Sequence, residues 1–387
     1  MKILIVQTVP GEIYTDKITY NIQPIGLARA FKKAGHRCDI ICCADGMPSI
    51  KKVTNDDGSE IIIYCVKSKN IIKNGFLQGD IKSIFDKYDI LQPIEYNQIY
   101  TWHMAMKYKD KVVIYHGPYY SDFNWRYNMM AKVFDLFCAS RYRKLNTMFL
   151  TKSHLATKYL NDKGINNIET IGVGIDLFAM RSTEDRIHPI AQRIDKFPHQ
   201  YKLLYIGKIE PRRNCYFLTD ILESVRNKGI DAGLVIIGKG EKEYKDGLFE
   251  KFSLHELNDY ILYEPEIEQK YIAQIYKRTD IFLLPTIYDI YGMVLLEGMY
   301  FNQCVVTTVN GGSDMMIQTG ENGFVINSFE AKSWGNQICD ILRDSERRKR
   351  IGKKAHETVV NDFTWLALTG KFVSAYRKKL GIREEQS

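Results

Sequence analysis

The chain has 387 residues, 45% of them hydrophobic, and a formal net charge of +8. That length is more than one core usually supports, so two domains are expected, with enough apolar residues to fill both. No apolar run approaches the roughly 18 residues of a spanning helix. The first seven residues read as a strand, too short for a secretory leader. These features point to a cytoplasmic protein, either soluble or peripheral at the inner face of a membrane. The charge is uneven: residues 1–180 carry 24 Lys+Arg against 17 Asp+Glu, and the remainder 30 against 29. A basic first half suits an anionic partner such as a lipid surface or a lipid-linked phosphate. Nucleic acid is not expected, because no aromatic–basic interleaving on a sheet accompanies the charge. The eight cysteines form no paired Cys-x-x-Cys motifs, which argues against zinc and for reduced thiols acting as small core residues.

Along the chain, strands alternate with helices, the mark of an α/β class with parallel sheets. Strands are expected at residues 2–7, 38–43, 61–66, 90–94, 112–115, 148–150 and 168–171. A helix is expected at 22–34, and a hairpin turns through Asn55-Asp56-Asp57-Gly58. Residues 176–200 read as a linker with irregular pieces. A second series then starts, with strands at 203–206, 233–237, 260–262, 280–284, 305–307 and 324–326 and a helix at 216–227. A charged helix near 345–361 and an apolar-aromatic helix at 365–380 follow. Residues 124–144 mix Trp125, Met129, Met130, Leu136 and Phe137 with Arg126, Lys132, Arg141, Arg143 and Lys144. Two readings stay open there: a core helix with a solvated basic end, or a surface helix that dips into anionic lipid.

The segment richest in chemistry runs from Pro285 to Met299. An apolar strand ends at Pro285, a loop carries Asp289, and helical spacing resumes at about Gly292. Glu297 then falls near the second turn of that helix, inside an apolar run, where a lone carboxylate is expensive unless something pairs with it. Two carboxylates and a helix N-terminus at one end of a sheet suit a polyol beside a phosphate. Residues 205–214 give a strand, then a loop with Gly207, Lys208, Arg212 and Arg213, then a helix, a cradle for a diphosphate. His116 stands at the C-terminal end of a strand. Gly238-Lys239-Gly240 makes a glycine-rich turn. Asn310-Gly311-Gly312-Ser313 reads as a loop before a helix, with Ser313 as its cap.

The 285–299 segment resembles the acidic pair of the retaining GT-B glycosyltransferases of family four (glycosyl transferases group 1), with Asp289 standing where that family has a Glu. The 207–213 loop resembles the family's Gly-Arg-x-x-x-x-Lys, with Lys208 in the Arg position and Arg213 in the Lys position. The resemblance implies a GT-B fold, two Rossmann-like parallel-sheet domains facing a central cleft. The first domain is 1–180 on the acceptor side, the second is 200–363 and binds the nucleotide-sugar, and residues 364–387 hold a helix crossing back to the first. It implies a retaining, metal-independent hexosyltransferase that moves a sugar from a nucleotide-sugar donor to a glycan or lipid-linked acceptor in bacterial cell-surface polysaccharide or glycolipid synthesis. The rival readings are a non-catalytic glycosyltransferase-like binding subunit and a GT-B nucleotide-sugar epimerase. By the same resemblance, His116, Lys208, Arg213 and Asp289 are catalytic. Gly11, Gly207, Gly238, Glu266, Tyr291, Gly292, Met293, Val294 and Glu297 are donor-binding, with UDP favoured as the nucleotide. Acceptor contacts fall near residues 14–20 and 119–126. No cofactor is expected. No Asp-x-Asp pair sits at a strand end, so the cations take the place of a metal.

Overall fold

The computed structural model describes residues 1–9, 22–71, 74–181 and 186–382. The chain divides into two compact units, Met1–Asp176 with Thr364–Ser387, and Leu177–Phe363.

The first unit is built on strands β1 (Lys2–Val6), β2 (Arg37–Cys43), β3 (Ser49–Thr54) and β4 (Glu60–Val66). A small antiparallel hairpin, β5 (Ser68–Ile71) and β6 (Asn74–Leu77), follows, and then β7 (Ile90–Pro93), β8 (Val113–His116), β9 (Met148–Thr151) and β10 (Ile168–Thr170). The main sheet runs β3-β4-β2-β1-β7 and is parallel except for the β3–β4 pair. Bridges Leu91–Val112 and Ile94–Tyr115 carry it on to β8-β9-β10. Continuous apolar runs such as Ile3–Val6 are fully buried, as in a sheet covered on both faces. Seven of the eight cysteines are buried and all eight are free thiols.

The helix Trp365–Leu380 ends where the sequence pattern placed it and belongs to the first unit. Thr364 caps it by accepting from the Ala367 N–H at 3.0 Å. Its Trp365 lies against Gly26 so closely that a Cβ at Gly26 would stand 2.6 Å from the indole Cδ1. Phe372 packs edge-on against Phe31 and Tyr115, and the Tyr376 hydroxyl donates to Gln92 Oε1.

The second unit carries β11 (Tyr201–Ile206), β12 (Ala232–Ile237), β13 (Ile261–Glu264), β14 (Ile281–Leu284), β15 (Cys304–Thr307) and β16 (Phe324–Val325). All are parallel, in the order β13-β12-β11-β14-β15-β16. The stretch expected to be irregular, 176–200, contains the helix Pro189–Asp195, with Ile190 and Ile194 buried. Pro189 opens this helix. It occupies the first turn, where its missing N–H is not needed, and the His188 ring accepts from the Ile190 N–H at 3.3 Å.

Candidate active site

Strand order in the second unit reverses between β11 and β14, and open α/β sheets bind ligands outside the carboxyl ends of the strands at such a point. The loops leaving these two strands are the two segments singled out by the sequence. They are tied together: the Ile287 N–H and the Thr286 hydroxyl both donate to the Arg212 carbonyl at 2.9 Å. Residues 76 positions apart in the chain thereby share one corner.

Arg213 and Asp289 meet there. Both are buried, and an Arg213 guanidinium N–H donates to Asp289 Oδ2. The Tyr291 N–H donates to Asp289 Oδ1 at 3.4 Å. Arg212, more exposed, pairs with Glu210 at 2.7 Å and lies 3.8 Å from Asp289. Lys208 is exposed. It lines a pocket of about 460 Å³ with Ile209, Glu210, Lys239, Gly240 and Tyr244. The two expected cations therefore differ: Arg213 is engaged with Asp289, and Lys208 faces the pocket.

The helix Met293–Tyr300 starts from Gly292, whose φ of 75° is left-handed and suits glycine. Its N-cap is this glycine, so among the described residues the helix start has no side-chain cap of its own, an arrangement that suits an anion. The next helix, Gly311–Met316, is capped differently from expectation. Asn310 is the N-cap, accepting from the N–H groups of Gly312 and Ser313, and the Ser313 hydroxyl accepts in turn from the Asn310 N–H, a capping box. Gly312 is required by closeness, since a Cβ there would stand 1.9 Å from the Tyr291 carbonyl oxygen. The two helix starts thus pack backbone to backbone.

Glu297 is completely buried one turn further along. Neither carboxyl oxygen makes a hydrogen bond of good geometry among the described residues. Burial pushes its pKa up to about 8, against the lowering influence of the Gln269 side chain. The expected carboxylate is therefore mostly a neutral acid at pH 7. Asp39 shows the contrast. It is equally buried, but its oxygens accept from the Ile62 N–H at 2.9 Å, Arg37 at 2.8 Å and the Tyr88 hydroxyl at 2.7 Å. A structural acid in this chain is fully satisfied; Glu297 is not.

The remaining donor-side positions have these places. Gly207 and Gly238 directly follow β11 and β12, and a Cβ at Gly238 would collide with the Gly207 carbonyl at 1.8 Å, so Gly238 has an architectural reason to be glycine. Glu266 is exposed and paired with Lys239. Tyr291 is buried, Met293 is half-buried and Val294 is buried. Gly11 and residues 14–20 lie outside the described residues.

In the first unit, His116 ends β8, fully buried, with its ring edge-on to Tyr96 and stacked on Tyr159. Its Nδ1 meets Glu95 Oε2 at 2.8 Å, and its Nε2 has no hydrogen-bond partner among the described residues. Sequence reasoning missed Glu95. Burial would raise its pKa, but the His116 ring, Lys152 at 3.8 Å and the Gly117 N–H at 3.2 Å together hold it low. The available signal was its place directly after the strand expected at 90–94; in the structure it lies two residues past β7, with a left-handed φ of 57°. The switch point of this unit, between β1 and β7, has a pocket of about 240 Å³ lined by Gln7, Gln23, Gln92 and Lys152 among others.

Comparison with known proteins agrees with this architecture. The chain has the GT-B fold: it superposes on Anabaena HepE in complex with UDP with a TM-score of 0.75, at 13% identity, covering 98% of this chain and 100% of that one. Residues 188–358 match the family model described as glycosyl transferases group 1. The second unit is accordingly a domain of the group 1 glycosyltransferase family. Spore coat protein SA of Bacillus subtilis is 25% identical over 182 residues, 46% of this chain and 48% of that protein. Sulfoquinovosyl transferase SQD2 of Arabidopsis thaliana is 27% identical over 177 residues, 45% of this chain and 32% of that protein. The chain thus aligns with half or less of the length of these curated relatives.

Proposed function

We propose that the chain is a glycosyltransferase that moves a sugar from a nucleotide-sugar, with UDP as the favoured nucleotide, to a glycan or lipid-linked acceptor, retaining anomeric configuration and needing no metal. The observation that carries the reading is Glu297: a buried acid with no good hydrogen bond, one turn inside an uncapped helix N-terminus, at the switch point of a parallel sheet. A ribose diol supplies the two O–H donors that such a carboxylate lacks. The helix end and the 208–213 cations supply the field for the diphosphate that leaves as the acceptor oxygen takes its place. The complexes of HepE with UDP and with UDP-glucose support the choice of donor.

On this reading the individual residues take the following roles. Arg213 and Lys208 stabilise the leaving diphosphate, and removing one such charge typically costs about 10²–10³ in rate. For Arg213 to do so, its bond to Asp289 must be shared with or ceded to the donor. Asp289 holds a hydroxyl of the donor sugar. His116, oriented by Glu95, offers its Nε2 to a sugar hydroxyl. Cell-surface polysaccharide or glycolipid synthesis is the setting proposed for this transfer.

The test is calorimetric binding of UDP-, GDP- and ADP-sugars to the full chain, followed by radiolabelled transfer with and without EDTA. Expected are binding of a UDP-sugar, its loss in Glu297→Ala, and turnover unaffected by EDTA. No binding of any nucleotide-sugar, or full affinity in Glu297→Ala, overturns the reading.

A further inference from the structure

Residues 120–144, left open by the sequence, form a surface ridge. The helix Trp125–Phe134 continues through a π turn, Asp135–Ala139, into the helix Ser140–Lys144. Its inner side is fixed by buried Asn128, Ala131, Ala139 and Tyr142, with the Tyr142 hydroxyl donating to the Tyr96 carbonyl at 2.8 Å. The outer side is apolar. Trp125, Met129, Met130, Val133, Leu136 and Phe137 are all at least half exposed, and Leu136 and Phe137 reach 77% and 70%. Helical spacing gathers them into one stripe. Of the 22 large hydrophobic side chains exposed among the described residues, eight lie between positions 120 and 137. Isolated exposed apolar residues are ordinary; a contiguous stripe marks an interaction surface.

The charges choose the partner. The segment has five Lys+Arg and two Asp. Asp135 is paired with Lys163, and Asp122 accepts from the Tyr120 hydroxyl at 2.6 Å, while Arg126, Lys132, Arg141 and Lys144 are exposed along and beyond the stripe. A symmetric contact with a second copy would set these cations against their own kind. An anionic bilayer answers both features, since its acyl boundary takes the apolar side chains and its headgroups take the cations.

We propose that this ridge is a docking face for anionic lipid bilayers, lying along the surface rather than crossing it. The inference does not rest on the donor site, and vesicle binding is read without any nucleotide-sugar. The experiment is flotation of the full chain with vesicles of phosphatidylcholine alone or mixed with phosphatidylglycerol, at low and high salt. Expected is binding to the mixed vesicles that weakens at high salt. Leu136→Glu with Phe137→Glu should abolish it. Lys132→Glu with Arg141→Glu should weaken it about tenfold or more. Melting temperatures of both variants should stay near that of the parent, because all four side chains are exposed. Absence of binding to the mixed vesicles at low salt, or binding indifferent to both variants, overturns the proposal. So does self-association in sedimentation that Leu136→Glu with Phe137→Glu removes, with no vesicle binding, which would assign the face to a second copy.

Discussion

Glu297 and Asp289 were both legible as acids near a strand end, but their environments separate them. Asp289 has Arg213; Glu297 has little beyond apolar neighbours. The pKa of Glu297 in the folded chain, about 8, stands above the ordinary 4.5. The folded state therefore holds more protons than the unfolded one between those values, and stability falls as pH rises through that window. Glu297→Gln should flatten this slope and raise the melting temperature at pH 9, measured by calorimetry across pH 5 to 9. On the donor-site reading, diol binding favours the ionised carboxylate. Donor affinity should then strengthen as pH rises toward 8 in the parent and stay flat in Glu297→Gln. For the other acid, Arg213→Ala or Asp289→Ala should each cost about 3–5 kcal/mol, because either removes the directly bonded ion partner of a buried charge. The double variant should cost clearly less than the two together. Simple additivity in urea titrations would mean the ion pair contributes no coupling.

Local geometry explains why some elements were readable and others not. The closing helix carries its boundaries in sequence: Thr364 before the apolar run, and Gly381 after it with a φ of 67°. Its docking surface was hidden, since Gly26 looks like an ordinary helical glycine until Trp365 is laid against it. Gly26→Val should destabilise the first unit by several kcal/mol through overpacking, whereas Gly370→Ala, with open space around it, should be nearly neutral or slightly stabilising. Urea unfolding of the two variants checks this. The cap of the Gly311 helix was assigned to Ser313 because serine is a good cap. Asn310 holds the position instead, because two glycines between them let the backbone pass close to Tyr291.

The two units differ in how continuous they are. Leu177–Phe363 is one run of chain, and the other unit is completed only by the last segment. Truncation after Phe363 should therefore expose the first unit, seen as rapid hydrogen exchange in β1 and β7, while β11–β15 keep their protection. Equal loss of protection in both would refute that division.

The sequence by itself determined the α/β class, nearly every strand, the two loops that carry the cations and acids, and the final helix. These depend on periodicity, turn residues and caps, all local in the chain. Only the tertiary structure decided that Arg213 is committed to Asp289, that Glu297 has no good partner, that Glu95 and Lys152 stand behind His116, and that the 125–144 helix faces outward. Each of those depends on which distant residue arrives beside it. That follows from strand order and from which helix face is left uncovered, and pairwise spacing in one sequence does not encode either.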